Sequence, residues 1–116
     1  MTRKIHEFDN SVRVYDDHLM PAQRQRYNIR NVHEADEEDL FVKIISSLPD
    51  NGCFVNIGAA IGYYAILAKK LSPQLHVHAV EPLQSFRTCL SENILLNDMT
   101  DEDFIIHPCA VGAMEG

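Results

Sequence analysis

The chain has 116 residues, 46% of them hydrophobic, which allows one compact domain with a core, or part of a larger one. A net charge of -7 excludes a broad nucleic-acid surface, and no apolar run approaches the length of a membrane span. The charge is uneven: residues 1–30 carry six basic against four acidic side chains, and residues 31–116 carry four against thirteen.

Residues 1–33 form a leading segment, with no apolar stretch of the kind a signal peptide needs, so a cytoplasmic location is expected. "SVRVY" has the alternation of a short strand, and Pro21 should interrupt any helix running through the polar stretch after it. This segment should lie on the body or be partly mobile, and its basic excess is read as solvated. "HEADEEDLFVKIISSL" opens the body at residue 34: Leu40, Phe41, Ile44, Ile45 and Leu48 fall on one helical face. Five carboxylates crowd its first turns, where the helix dipole favours them, so a solvated helix start is preferred to a metal site. After the turn "PDNG", "CFVNIG" is a buried strand, "YYAILAKKL" a helix ended by Ser72 and Pro73, and "LHVHAVEP" a second strand. "LQSFRTCLSENILLN" repeats Leu83, Phe86, Leu90 and Ile94 at helical spacing, and "DFIIHPCAVG" is a third strand shortened by Pro108. Strands separated by helices pair in parallel through right-handed crossovers, so residues 34–116 predict an α/β fold, a Rossmann-like parallel sheet of three strands with flanking helices. Cys53, Cys89 and Cys109 are odd in number and far apart, which predicts buried reduced thiols.

The stretch "FVNIGAAIGYYAILAKKL" has the outline of strand, glycine turn and helix, a unit that brings backbone amides close to a nucleotide-like ligand. A side chain at Gly58 or Gly62 would occupy space that such a ligand needs. Glu81 stands nineteen residues after Gly62, at the end of the next strand, where it can accept hydrogen bonds from both hydroxyls of a ribose above the turn. The dinucleotide fingerprint Gly-x-Gly-x-x-Gly is not met, which disfavours NAD. The spacing follows the looser acidic-x-Gly-x-Gly-x-Gly pattern instead, as Asn56, Gly58, Ala60 and Gly62. His76, His78 and His107 lie on the second and third strands and are read as structural, so no catalytic base is named.

Four successive blocks, "FVNIGAAIGYYAILAKKL", "VHAVEP", "LSENILLND" and "IIHPCAVGAMEG", resemble those of FkbM-type S-adenosylmethionine-dependent methyltransferases. The resemblance implies the first half of a class I methyltransferase fold, whose seven strands run in the order 3-2-1-4-5-7-6. It implies that Gly58, Ala60 and Gly62, with Asn56, Ala59 and Tyr63, line the methionine and ribose side of S-adenosylmethionine. Glu81 and Pro82 would hold the ribose hydroxyls, and the stretch around Ala110 would lie near the adenine. The acceptor would be a small molecule methylated on a hydroxyl, often of a sugar or natural product. Asn56 stands where the family typically has Asp, and Ala60 where it commonly has Asn. Three strands leave the first one at an edge, so a homodimer or a complementing fragment is expected. The alternative is a non-catalytic fragment or interaction module that keeps the fold without turnover.

Overall fold

The computed structural model describes residues 2–112. A hairpin of β1 (Ile5–Glu7) and β2 (Arg13–Tyr15) is followed by α1 (Pro21–Ile29) and α2 (Ala35–Ser47). Then β3 (Cys53–Ile57), α3 (Tyr63–Leu71), β4 (His76–Val80), α4 (Gln84–Leu96) and β5 (Ile105–His107) alternate. The hairpin is antiparallel, whereas β3, β4 and β5 form a parallel sheet in the order β3-β4-β5. That is the α/β architecture expected from strands joined by helices, with β3 at one edge. No helix is long and apolar enough to cross a membrane among the described residues.

The register sorts the strand residues onto two faces. Phe54 is level with Val77, and Asn56 with Ala79 and Ile106, on the face packed against the helices. Val55, His78 and Ile105 form a row on the other face, and Ile57, Val80 and His107 form the next. The expectation of a buried first strand is corrected here: Val55 and Ile57 are 50% and 62% exposed at the β3 border of that face, although Val80 beside Ile57 is buried. On the covered face Val77 and Ala79 pack with Ala65, Ile66 and Ala68 of α3 and Leu90 and Ile94 of α4, all fully buried.

The leading segment belongs to the same core. Val12 and Val14 are fully buried, and burial of side chains of this size contributes at most roughly 1.5–3 kcal/mol each. Pro21 starts α1 rather than interrupting a helix: its missing N–H falls where the first turn has no partner for one, and the Gln23 side chain accepts the Met20 N–H at 2.8 Å. Three of its six basic side chains are paired with carboxylates of the chain, Arg3 with Asp17 and Glu92, Arg13 with Asp98, and Arg24 with Asp16. Two further expectations change. On α2, Leu40 and Ile44 are exposed, while Ile45 is buried and Phe41 and Leu48 pack on the core. The cysteines are free, but Cys53 and Cys109 are exposed and Cys89 is half-buried.

Candidate functional site

The turn joining β3 to α3 is built from alternating left-handed residues: Gly58 at φ 76°, Ala60 at φ 50° and Gly62 at φ 96°. The amides of Gly58 and Ala59 both donate to the Val80 carbonyl, at 2.8 and 3.1 Å, which ties the turn to the end of β4. The amide of Ala60 donates to Glu81 Oε1 at 2.8 Å, and Leu83, the residue immediately before α4, donates its amide to Oε2 at 3.1 Å. Glu81 is 4% exposed, and each oxygen retains a second acceptor position. One carboxylate therefore fixes both the turn and the start of α4. Arg87 completes the corner by donating from Nη1 to the carbonyls of Glu81 and Pro82.

The two glycines serve different purposes. A Cβ at Gly58 would meet nothing within 4 Å, so this residue leaves open space in front of the turn. A Cβ at Gly62 would lie 2.4 Å from Leu90 Cδ1, so the space there belongs to α4 and not to a ligand. Tyr63 is buried, and its hydroxyl donates to Glu38 Oε1 at 2.8 Å. Burial, reinforced by that carboxylate, pushes the Tyr63 hydroxyl far above its ordinary value; Tyr64 is raised by burial and by its bond to Glu34. Glu38, one of the five acidic residues expected at a solvated helix start, is thus buried and bonded, also accepting the Glu34 amide at 2.7 Å.

Two cavities meet at Asn56. One, of about 240 Å³, lies between the glycine turn and the leading segment, whose Phe8, Leu19 and Tyr27 form its roof. The other, of about 320 Å³ and more open, is bounded by Glu34 and Glu37 and by the rings of Phe41, Phe54 and Tyr64. Asn56, Gly58, Ala59, Ala60 and Tyr63 are thereby brought to one cavity, with Glu81 bonded to its Ala60 wall. Gly62 lies behind the turn, Pro82 is exposed beside Glu81, and Ala110 is exposed in the loop after β5, while residues 113–116 of the last block lie outside the described residues. His78 and His107 stack with ring centroids 5.2 Å apart on the open sheet face, away from the helices. No group of three or more metal-ligating side chains occurs among the described residues.

The roof is held by two buried asparagines, Asn93 in α4 and Asn97 at its C-terminal cap. Asn93 Oδ1 accepts the Tyr15 amide at 3.0 Å, and its Nδ2 donates to the Ile61 carbonyl at 2.9 Å, so one side chain bridges β2 and the glycine turn. Asn97 accepts the Arg13 amide and donates to the Arg13 carbonyl, completing the edge of β2 with a side-chain amide. Neither residue was expected at the site. The signal was present in "SENILLN": two amides four residues apart on the stripe that carries Leu90 and Ile94, where a buried polar side chain needs partners.

No protein-family model matches the chain. A curated relative, methyltransferase sdnD of Sordaria araneosa, is 39% identical over 54 residues, covering 47% of this chain and 21% of that protein. Among solved structures, a geranyl diphosphate methyltransferase in complex with GPP and sinefungin superposes with a TM-score of 0.59 at 13% identity, over 99% of this chain and 41% of that one. The precorrin-6y C5,15-methyltransferase of Geobacter metallireducens gives 0.55 at 18% identity, over 87% and 48%. The chain spans less than half the length of each of these proteins. Its α/β fold, with a parallel three-stranded sheet and flanking helices, is the fold of the class I methyltransferases over that span.

Proposed function

We propose that the chain binds S-adenosylmethionine at the β3–α3 turn and serves methyl transfer to a hydroxyl of a small molecule. The observation that carries this reading is Glu81, buried beneath the turn with acceptor positions to spare beside the open space at Gly58. A ribose seated there would give its hydroxyls to Glu81, with Pro82 beside it. Asn56, Gly58, Ala59, Ala60 and Tyr63 would border the methionine side, Gly62 would hold the helix in place behind them, and Ala110 would lie toward the adenine. The bound group supplies a methyl already activated on a sulfonium, so orientation of the acceptor oxygen is the main contribution left to the protein. The FkbM resemblance, the cytoplasmic location and the sugar or natural-product acceptor belong to this reading.

Titration calorimetry with S-adenosylhomocysteine tests it. Saturable binding that falls about tenfold or more in Glu81→Gln, which keeps an oxygen for the Ala60 amide but loses the charge, is expected. No heat at millimolar ligand overturns the reading. A module that keeps the fold without turnover is favoured by one observation, the neutral Asn56 at the end of β3, and an absence of binding would support it. The uncovered face of β3 would then be its working surface, for a second copy of the chain or a complementing fragment.

A further inference from the structure

The more open cavity, of about 320 Å³, lies at the β3 edge, and three elements each place an aromatic ring on it: Phe41 of α2, Phe54 of β3 and Tyr64 of α3. The Phe41 ring centroid is 5.3 Å from that of Phe54 and 5.1 Å from that of Tyr64, and all three residues are half-buried. Glu34, Glu37 and the Asn56 amide complete the lining, and no lysine, arginine or histidine belongs to it. Glu34 Oε1 accepts the Tyr64 hydroxyl at 2.5 Å, which draws the phenol toward phenolate character and strengthens the negative face of its ring. Glu37 has no ion-pair partner among the described residues. His33 Nε2 lies 3.7 Å from Glu34 Oε1, but burial holds His33 below its ordinary value, so the ring stays neutral near pH 7 and leaves the carboxylates uncompensated.

A helix start attracts carboxylates without any ligand, because the helix dipole favours them. The dipole gives no reason for three rings to share a cavity with them. Negative charge bordered by ring faces attracts a cation, and the apolar walls favour one that carries carbon substituents over a strongly hydrated metal ion. No group of three or more metal-ligating side chains occurs among the described residues, which also argues against a metal here. An apolar cavity of about 150 Å³ takes up benzene, so 320 Å³ admits a substituted ammonium group with a short chain. We propose that this cavity is a binding site for an organic ammonium group, with Glu37 as its counter-charge and the rings of Phe41, Phe54 and Tyr64 as its walls. Asn56 borders both this cavity and the one at the glycine turn, so two sources offer that group: a separate amine, or the amino-acid end of the methyl donor. The site itself does not depend on the methyl-donor reading.

Tetramethylammonium and tert-butanol, similar in shape but not in charge, are the probes, titrated into the full chain at low salt and followed by amide and side-chain chemical shifts. Saturable binding of tetramethylammonium about fivefold or more tighter than tert-butanol, with shifts at Phe41, Phe54 and Tyr64, is the expected result. Glu37→Gln, at an exposed position, should remove most of that preference, and Phe41→Leu should weaken the cation about threefold while tert-butanol binds as before. No saturable binding of the cation, equal binding of the two probes, or a preference that survives Glu37→Gln overturns the proposal. S-adenosylhomocysteine then identifies the source of the ammonium: competition with tetramethylammonium assigns the cavity to the donor's own amino group, and simultaneous binding assigns it to a separate amine. Tetramethylammonium binding without S-adenosylhomocysteine binding leaves the ammonium site standing and overturns the methyl-donor reading alone. Binding of S-adenosylhomocysteine that is indifferent to Glu37→Gln, with no binding of tetramethylammonium, overturns the ammonium site alone.

Discussion

Ala60 holds φ at 50°, a conformation that costs an ordinary L-residue roughly 1 kcal/mol, because only there does its amide point at Glu81. The glycines on either side are under different constraints, and their alanine variants should separate them. Gly58→Ala adds only backbone strain, about 1–2 kcal/mol, since its Cβ enters open space. Gly62→Ala adds a clash with the fully buried Leu90 and should cost roughly 2–4 kcal/mol in urea denaturation. Equal losses at the two positions would contradict the division of roles. Asn56 offers a test in the opposite direction. A carboxylate at this position would add charge to its hydrogen bond with an ammonium, so Asn56→Asp should tighten S-adenosylhomocysteine binding about tenfold at low salt, with the gain shrinking as salt is added. An unchanged affinity would place the ligand's ammonium elsewhere.

Helix α4 is a wall of the core and, through Asn93 and the capping Asn97, the clasp for the roof. Asn93→Ala leaves the Tyr15 amide and the Ile61 carbonyl without their partner in a part-buried setting, each costing up to about 1–3 kcal/mol. Hydrogen exchange should report faster opening at Val14 and Tyr15 than at Val77 and Ala79 in this variant; uniform acceleration would mean that the hairpin is no separate unit. The link between α1 and α2 carries a pH dependence. His33 binds its proton less readily in the fold than its ordinary value of 6.5, because burial opposes the charged form. The unfolded chain therefore takes up the proton first, so stability falls as pH drops through the ordinary histidine range and is unaffected by this group well above it. His33→Gln should narrow the difference between urea midpoints at about pH 7.5 and about pH 5.5, and an unchanged difference would assign the effect to other groups. The order of strands and helices from α2 onward, the β3–α3 turn and the position of Glu81 after β4 were legible because each follows from local periodicity or from a short motif, whereas β1 and α1 were not assigned. The roof was not, because the amides of "SENILLN" signal a need for partners without saying which, and Asn93 finds Tyr15 78 positions away. The role of Gly62 was hidden for a related reason: the same glycine spacing serves a ligand or a neighbouring helix, and only Leu90 decides between them.

At the scale of the whole chain, the helices cover one face of the sheet and leave the β3 border of the other exposed. Val55, Ile57 and Ile105 are 50%, 62% and 40% exposed on that face, and β3 also presents an unpaired backbone edge. The histidine pair His78–His107 interrupts the apolar surface only at its centre and far side, so the β3 border carries no charged side chain to discourage pairing. An edge of this kind buries its apolar surface when a partner is present, whether a second copy or a complementing segment. Light scattering over rising concentration should therefore show self-association of the 116-residue chain, and Val55→Lys, which places a charge on the bare face without touching the helix-covered one, should shift it toward monomer. A monodisperse monomer at high concentration would show that the exposed strand does not recruit a second copy, and the surface would then have to be explained without self-pairing.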